Sequence, residues 1–124
     1  MAINREFINS VYEEIWRCIN SGDWDKWLEY YSHNCKFTNS AMKEIIEGKS
    51  ELHELAKTFP SVINTPEWHA IDGQRLVVSW KERPTGGAEN LAYRGVSSFY
   101  FDSEGKISDY VGTFNMQEVA KAFS

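Results

Sequence analysis

The chain has 124 residues and a mass of 14.3 kDa, the size of a single domain spanning residues 1–124. Apolar residues make up 42% and aromatic residues 15%, enough to build a packed core, which excludes a disordered chain. The formal net charge is −5, which argues against a cationic groove for nucleic acid.

The first residues carry no basic start followed by an apolar core, so no secretory signal is read. Ile3, Phe7, Ile8, Val11, Tyr12, Ile15 and Ile19 recur at helical spacing and predict an amphipathic helix over residues 4–20. Ser21-Gly22 ends it, because glycine accepts the left-handed geometry after a helix. Asp23 caps a second, short helix, and Trp24, Trp27, Leu28 and Tyr31 give that helix an aromatic face at i, i+3, i+4 and i+7. Residues 36–39 alternate and read as a short strand. Residues 42–47 read as a linker or a hairpin arm. Gly48-Lys49-Ser50 opens a third helix with Leu52, Leu55, Ala56 and Phe59 on one side, and Pro60 stops it.

After Pro66 the period changes from 3.6 to 2. Strands are predicted over residues 68–71, 76–82, 92–101 and 106–115, with turns at Asp72-Gly73 and Asp102-Ser103-Glu104-Gly105 and a longer loop from Pro84. Residues 116–123 form a short closing helix. Helices followed by consecutive antiparallel strands predict an α+β domain with the helices on one face of the sheet.

No apolar run reaches 18 residues, so no membrane span is expected. Cys18 and Cys35 form no C-x-x-C pair and read as buried free thiols, and the chain is expected to be cytoplasmic.

The ordered set of elements resembles the NTF2-like superfamily and, within it, the SnoaL-like group. Ser21-Gly22-Asp23-Trp24-Asp25-Lys26-Trp27 resembles the turn between the first two helices of that group. Phe37, then Gly48-Lys49-Ser50 and Phe59-Pro60, resembles its first strand and third helix. Phe99 to Ile107 resembles its penultimate hairpin, F-x-F-x-x-G-K-I. The resemblance implies a cone: a curved, mostly antiparallel sheet (the cystatin-like arrangement) wrapped around three helices from the N-terminal half, with one apolar pocket inside. It also implies a homodimer through the outer sheet face, where Val96, Ser98 and Tyr100 are expected. The group contains polyketide cyclases, epoxide hydrolases, dehydratases and ketosteroid isomerases, and also binding proteins without activity, so fold does not decide function.

Strand parity gives an independent expectation for the pocket. Leu76, Val78, Trp80 and Glu82 are the more apolar set of their strand and face inward, as do Tyr93, Gly95, Ser97, Phe99 and Phe101 of the next. In the last strand, Asp109 enters the pocket if Ile107 points inward and the ladder runs without a bulge; a bulge reverses it, and Gly112 is one place for it. Trp24, Trp27, Tyr31, Phe37, Phe59, Trp80 and Phe99 are the expected substrate-contacting walls.

A carboxylic acid in an apolar pocket can hold a proton near neutral pH, so Asp109 and Glu82 are the leading candidates for acid/base chemistry. His69 is a third, although it alternates with the more apolar Trp68 and so reads as exposed or interfacial. Tyr93 is a candidate donor to a developing oxyanion, or else a wall with its hydroxyl at the wet rim. Phe37-Thr38-Asn39 resembles the Y-x-N of limonene epoxide hydrolases, which implies Asn39 as a water or carbonyl ligand. Their Arg-x-Asp is replaced by Trp80-Lys81-Glu82 and their last-strand Asp by Gly112, so their route to epoxide opening is not expected. His33-Asn34-Cys35 offers two ligand types without further partners, so no metal is expected. No phosphate- or dinucleotide-binding glycine motif is present and no cofactor is expected. Two functions remain. One is a cofactor-independent enzyme that cyclises, isomerises or dehydrates a small apolar molecule. The other is a non-catalytic module that binds a small molecule or a protein.

Overall fold

The computed structural model describes residues 2–124. Helix α1 (Arg5–Ser21) starts at Asn4, whose side chain accepts the Phe7 N–H, and ends at Gly22 in the left-handed region. Helix α2 (Trp24–Leu28) is capped by Asp23 and lasts five residues. Strands β1 (Tyr31–Asn39) and β2 (Glu44–Glu47) follow, then α3 (Lys49–Ala56). Strands β3 (Val62–Asp72), β4 (Arg75–Pro84), β5 (Tyr93–Phe101) and β6 (Ile107–Phe114) complete the sheet, and α4 (Met116–Ala122) closes the chain behind its cap Asn115. The sheet order is β2-β1-β6-β5-β4-β3, antiparallel except between β1 and β6.

Two boundaries differ from the sequence reading, and one open alternative is decided. Tyr31 begins β1 instead of ending α2, because the Ile107 N–H donates to Tyr30 and draws the chain into the sheet. Residues 44–47 are the hairpin arm, paired with β1. Strand β3 starts at Val62, well before Pro66. Proline is tolerated there because β3 is an edge strand, and the ladder shifts register between Pro66 and Trp68.

Helices α1 to α3 pack on one face of the sheet. Ile8, Val11 and Ile15 of α1, Trp27 of α2 and Leu52 of α3 join Leu76, Val78, Phe99, Phe101 and Ile107 in a single core. Cys18 and Cys35 are buried free thiols. No described helix is long and apolar enough to cross a membrane.

The predicted parity of β4 and β5 holds: Leu76, Val78, Trp80, Tyr93, Ser97, Phe99 and Phe101 are buried, while Val96 and Tyr100 are exposed. The ladder between β5 and β6 breaks near Ser108, where Phe101 pairs with Ile107 but Tyr100 with Asp109. Ile107 stays inward, and Tyr110, Gly112 and Phe114 follow it onto the inner face.

Two glycines on that face make room for rings. A Cβ on Gly95 would overlap the Trp80 indole and approach the Thr113 carbonyl oxygen to 2.8 Å. A Cβ on Gly112 would overlap the Tyr110 hydroxyl. Gly95→Ala is expected to lower the unfolding free energy by about 1–3 kcal/mol in urea titrations, because the clash is with a packed ring and with backbone. Glu104→Gln in the exposed β5–β6 turn serves as the control, with a change within about 0.5 kcal/mol.

Candidate active site

Between the helices and the inner sheet face lies a cavity of about 550 Å³, within the range of small-molecule sites. Trp24, Trp27 and Phe59 line one side, and Tyr31, Phe37, Trp80 and Phe99 line the sheet side. The rings pack against one another in the wall and leave the middle open. Trp24 meets Trp27 edge-on at 5.2 Å and Phe59 at 5.0 Å, and Phe37 stacks on Tyr110 at 4.2 Å. Met42 and Phe123 line the cavity while remaining exposed, which places them at its opening.

Glu82 is held on this wall through both carboxylate oxygens. Asn64 Nδ2 donates to Oε1 at 2.9 Å, and the Tyr93 hydroxyl donates to Oε2. The strands dictate this, since Glu82 is directly opposite Asn64 on one side and Tyr93 on the other. Trp16 Nε1 donates to Asn64 Oδ1 at 2.7 Å. An indole N–H only donates, so the Asn64 oxygen must face Trp16 and its amide nitrogen must face Glu82. Asn64 is fixed in turn by Asn20, whose side chain accepts the Asn64 N–H at 2.6 Å and donates to the Asn64 carbonyl at 2.9 Å. Burial first, and the Glu82 carboxylate next, push the Tyr93 phenol far above its ordinary value. Tyr93 therefore stays protonated and acts as a hydrogen-bond donor at any physiological pH.

A second polar group lies deeper on the sheet. Trp80 Nε1 donates to Ser97 Oγ at 2.9 Å, and Ser97 Oγ shares a proton with Tyr110 Oη at 2.8 Å. Gly95 and Gly112 create this arrangement by letting the two rings lie flat toward Ser97, which pairs with Gly112. Burial pushes the Tyr110 phenol up to about 12, against the opposing pull of its Ser97 hydrogen bond. Nearby, the Tyr31 hydroxyl is fully buried with no hydrogen-bond partner. Burial, then the neighbouring Tyr110, raise the Tyr31 phenol well above the usual range.

The remaining candidates fall elsewhere. Asp109 lies on the outer face opposite Tyr100 and does not line the cavity, because the register break near Ser108 reverses the strand beyond it. Trp68, the residue expected inward on its strand, is 54% exposed and sits opposite Ser79 on the outer face. His69 shares the inner side with Val78 but is exposed beside α1 and does not line the cavity, in keeping with its reading as an exposed or interfacial residue. Its Nε2 lies 2.9 Å from Asn9 Oδ1 and its ring stacks on Tyr12 at 4.4 Å. Asn39 lines the cavity, with its Oδ1 accepting the Met42 N–H at 3.3 Å in the β1–β2 turn. Among the described residues no three His, Cys, Asp or Glu side chains converge as a metal site requires.

Sequence reasoning missed Asn64, Trp16 and Tyr110. Asn64 lies two residues before Pro66 in a stretch with no predicted element, Trp16 follows the core position Ile15 on α1, and Tyr110 sits beside Asp109 on a strand of undecided register. The β-branched Val62, Ile63 and Thr65 around Asn64 were the available signal that β3 extends back past Pro66.

The unpartnered hydroxyl of Tyr31 destabilises the unliganded fold by about 1–3 kcal/mol. Tyr31→Phe is therefore expected to be at least as stable as the native chain in chemical denaturation. A loss of stability would show that the hydroxyl is engaged in the folded protein.

Comparison with known proteins places this geometry. No curated protein matches the chain significantly in sequence. Among solved structures, the epoxide hydrolase/cyclase-like enzyme SalBIII of pyran ring formation in the polyether salinomycin superposes with a TM-score of 0.80 at 20% identity, over 94% of this chain and 97% of that one. An NTF2-like protein of unknown function from Burkholderia xenovorans gives 0.80 at 18% identity, over 92% and 87%. An epoxide hydrolase from M. tuberculosis, similar to limonene epoxide hydrolase, gives 0.74 at 12% identity, over 92% and 87%. At these identities the likeness shows a shared NTF2-like fold. The sequence profile of the SnoaL-like domain matches residues 12–110, most of the chain. The protein belongs to the SnoaL-like family.

Proposed function

We propose that the chain is an enzyme that moves a proton on a small, largely apolar molecule held in the aromatic cavity, in a cyclisation, isomerisation or dehydration. Glu82 takes and returns the proton. The observation that carries this reading is that Glu82 lines the cavity with both oxygens hydrogen-bonded to buried or half-buried neighbours. Glu44 also lines the cavity, but from the edge strand β2.

The two hydrogen bonds occupy one lone pair on each oxygen and leave the others for the guest. The Trp16–Asn64 contact fixes the plane of the amide, and with it the position of the carboxylate. A base held this way needs little reorganisation when the proton moves. The apolar walls restrict the conformers of the guest and keep water from the reacting carbon. SalBIII, an epoxide hydrolase/cyclase-like enzyme of pyran ring formation on the same fold, supports a ring-forming reaction of this kind.

Deuterium uptake into a panel of rigid one- to three-ring ketones and enones in D2O, followed by proton NMR, tests the proposal. Exchange faster than in buffer is expected for guests that bind, and Glu82→Gln is expected to slow it by about 10²–10⁴-fold. Bound guests that exchange no faster than in buffer, or a Glu82→Gln rate equal to the native one, would overturn the role of Glu82.

The outer sheet face supports a further proposal, pairing with a second copy of the chain. Val96, Val111, Tyr100 and Trp68 expose apolar surface there. Charges of both signs share the same face, with Lys36 opposite Asp109 and Arg94 bonded to Glu67, so the face can complement itself under two-fold symmetry. Light scattering at micromolar concentration is expected to report twice the 14.3 kDa chain mass. Val96→Asp is expected to reduce it to the single-chain value.

A further inference from the structure

Three polar atoms meet at Ser97, and their protons can be counted. Trp80 Nε1, Ser97 Oγ and Tyr110 Oη each carry one hydrogen. Two hydrogen bonds join them, Trp80 to Ser97 and Ser97 with Tyr110. If Ser97 donates to Tyr110, the Tyr110 proton has no acceptor. If Tyr110 donates to Ser97, the Ser97 proton has none. Either way one donor is left over on the cavity wall. Tyr31 supplies another, since its buried hydroxyl has no partner. Both tyrosine rings pack on Phe37, with centroids at 4.2 Å for Tyr110 and 6.2 Å for Tyr31, so the two rings share one stretch of wall. Buried donors without acceptors are rare in folded proteins, and each calls for an explanation, of which a bound acceptor is one.

We propose that Tyr31, Ser97 and Tyr110 form a second polar subsite that takes an acceptor oxygen of the guest, a carbonyl or an ether oxygen. The proposal rests on the cavity being a small-molecule site and goes beyond the role of Glu82. Tyr93, the residue opposite Glu82, and Ser97 lie four residues apart on β5, on the order of 13 Å along the strand. The oxygen held at Ser97 and the carbon facing Glu82 are therefore separate positions on one guest. The subsite sets which end enters first, and so which carbon meets the carboxylate. Gly112 belongs to the same device, because any side chain there would push the Tyr110 hydroxyl away from Ser97.

A matched pair of probes tests this: α-tetralone, which carries a carbonyl, and tetralin, the hydrocarbon of nearly the same shape. Calorimetric titration of the native chain is expected to show the ketone binding about ten-fold more tightly than the hydrocarbon, as expected for one to two net hydrogen bonds. In Tyr31→Phe/Tyr110→Phe that preference is expected to vanish, with tetralin affinity within about two-fold of native. The infrared carbonyl stretch of carbon-13-labelled ketone is expected at lower frequency in the native chain than in the double variant. Glu82→Gln is expected to keep both the preference and the carbonyl shift while losing proton exchange, which separates this proposal from the role of Glu82. Equal affinity for the two probes, a ketone preference that survives in the double variant, or exclusion of both probes would overturn the subsite.

Discussion

A carboxylate can stand on the wall of an aromatic cavity only if its oxygens are hydrogen-bonded, because burying an unpaired charge is prohibitive. Asn64 meets that condition for Glu82, and everything that fixes Asn64 therefore fixes the site. Trp16 sets the orientation of the amide, and Asn20 clamps the backbone on either side of the same residue. Helix α1, the edge strand β3 and the inner strand β4 are tied together at this one point. The contact is structural and functional at once: it closes the edge of the sheet against a helix and it aims the carboxylate.

The sheet contributes through its irregularities as much as through its regular ladders. A register break lets β3 pass Pro66 and still present Asn64 to the inner side. Another turns Asp109 outward and Tyr110 inward. One irregularity hides an acid that would otherwise enter the pocket, and the other lets the strand carry an amide to the inner face on the far side of a proline. Gly95 and Gly112 add to this by leaving space over the strands, into which Trp80 and Tyr110 lie down. The polar atoms of the cavity converge because specific side chains are missing beside them.

The backbone alone does not say what the cavity is for. The same fold holds an epoxide hydrolase, a cyclase-like enzyme and proteins of unknown function at identities of 20% or less. The chemistry on the cavity wall is a carboxylate held through both oxygens and, deeper on the sheet, hydroxyls short of acceptors. The aromatic walls supply burial and shape, and the polar groups supply orientation.

Much of this was legible in the residues themselves. Helical spacing, the caps at Asp23 and Gly22, and the change of period after Pro66 specify helices followed by strands, because these signals are local. Parity correctly placed Glu82, Tyr93 and Phe99, since alternation along a regular strand needs no knowledge of its neighbours. All seven aromatic walls were identifiable for the same reason: large apolar side chains on inward-facing positions have nowhere else to go. Asp109 and Asn64 were decided only by tertiary structure. A bulge is a property of two paired strands, and a proline-containing stretch becomes a strand only when it finds itself at an edge.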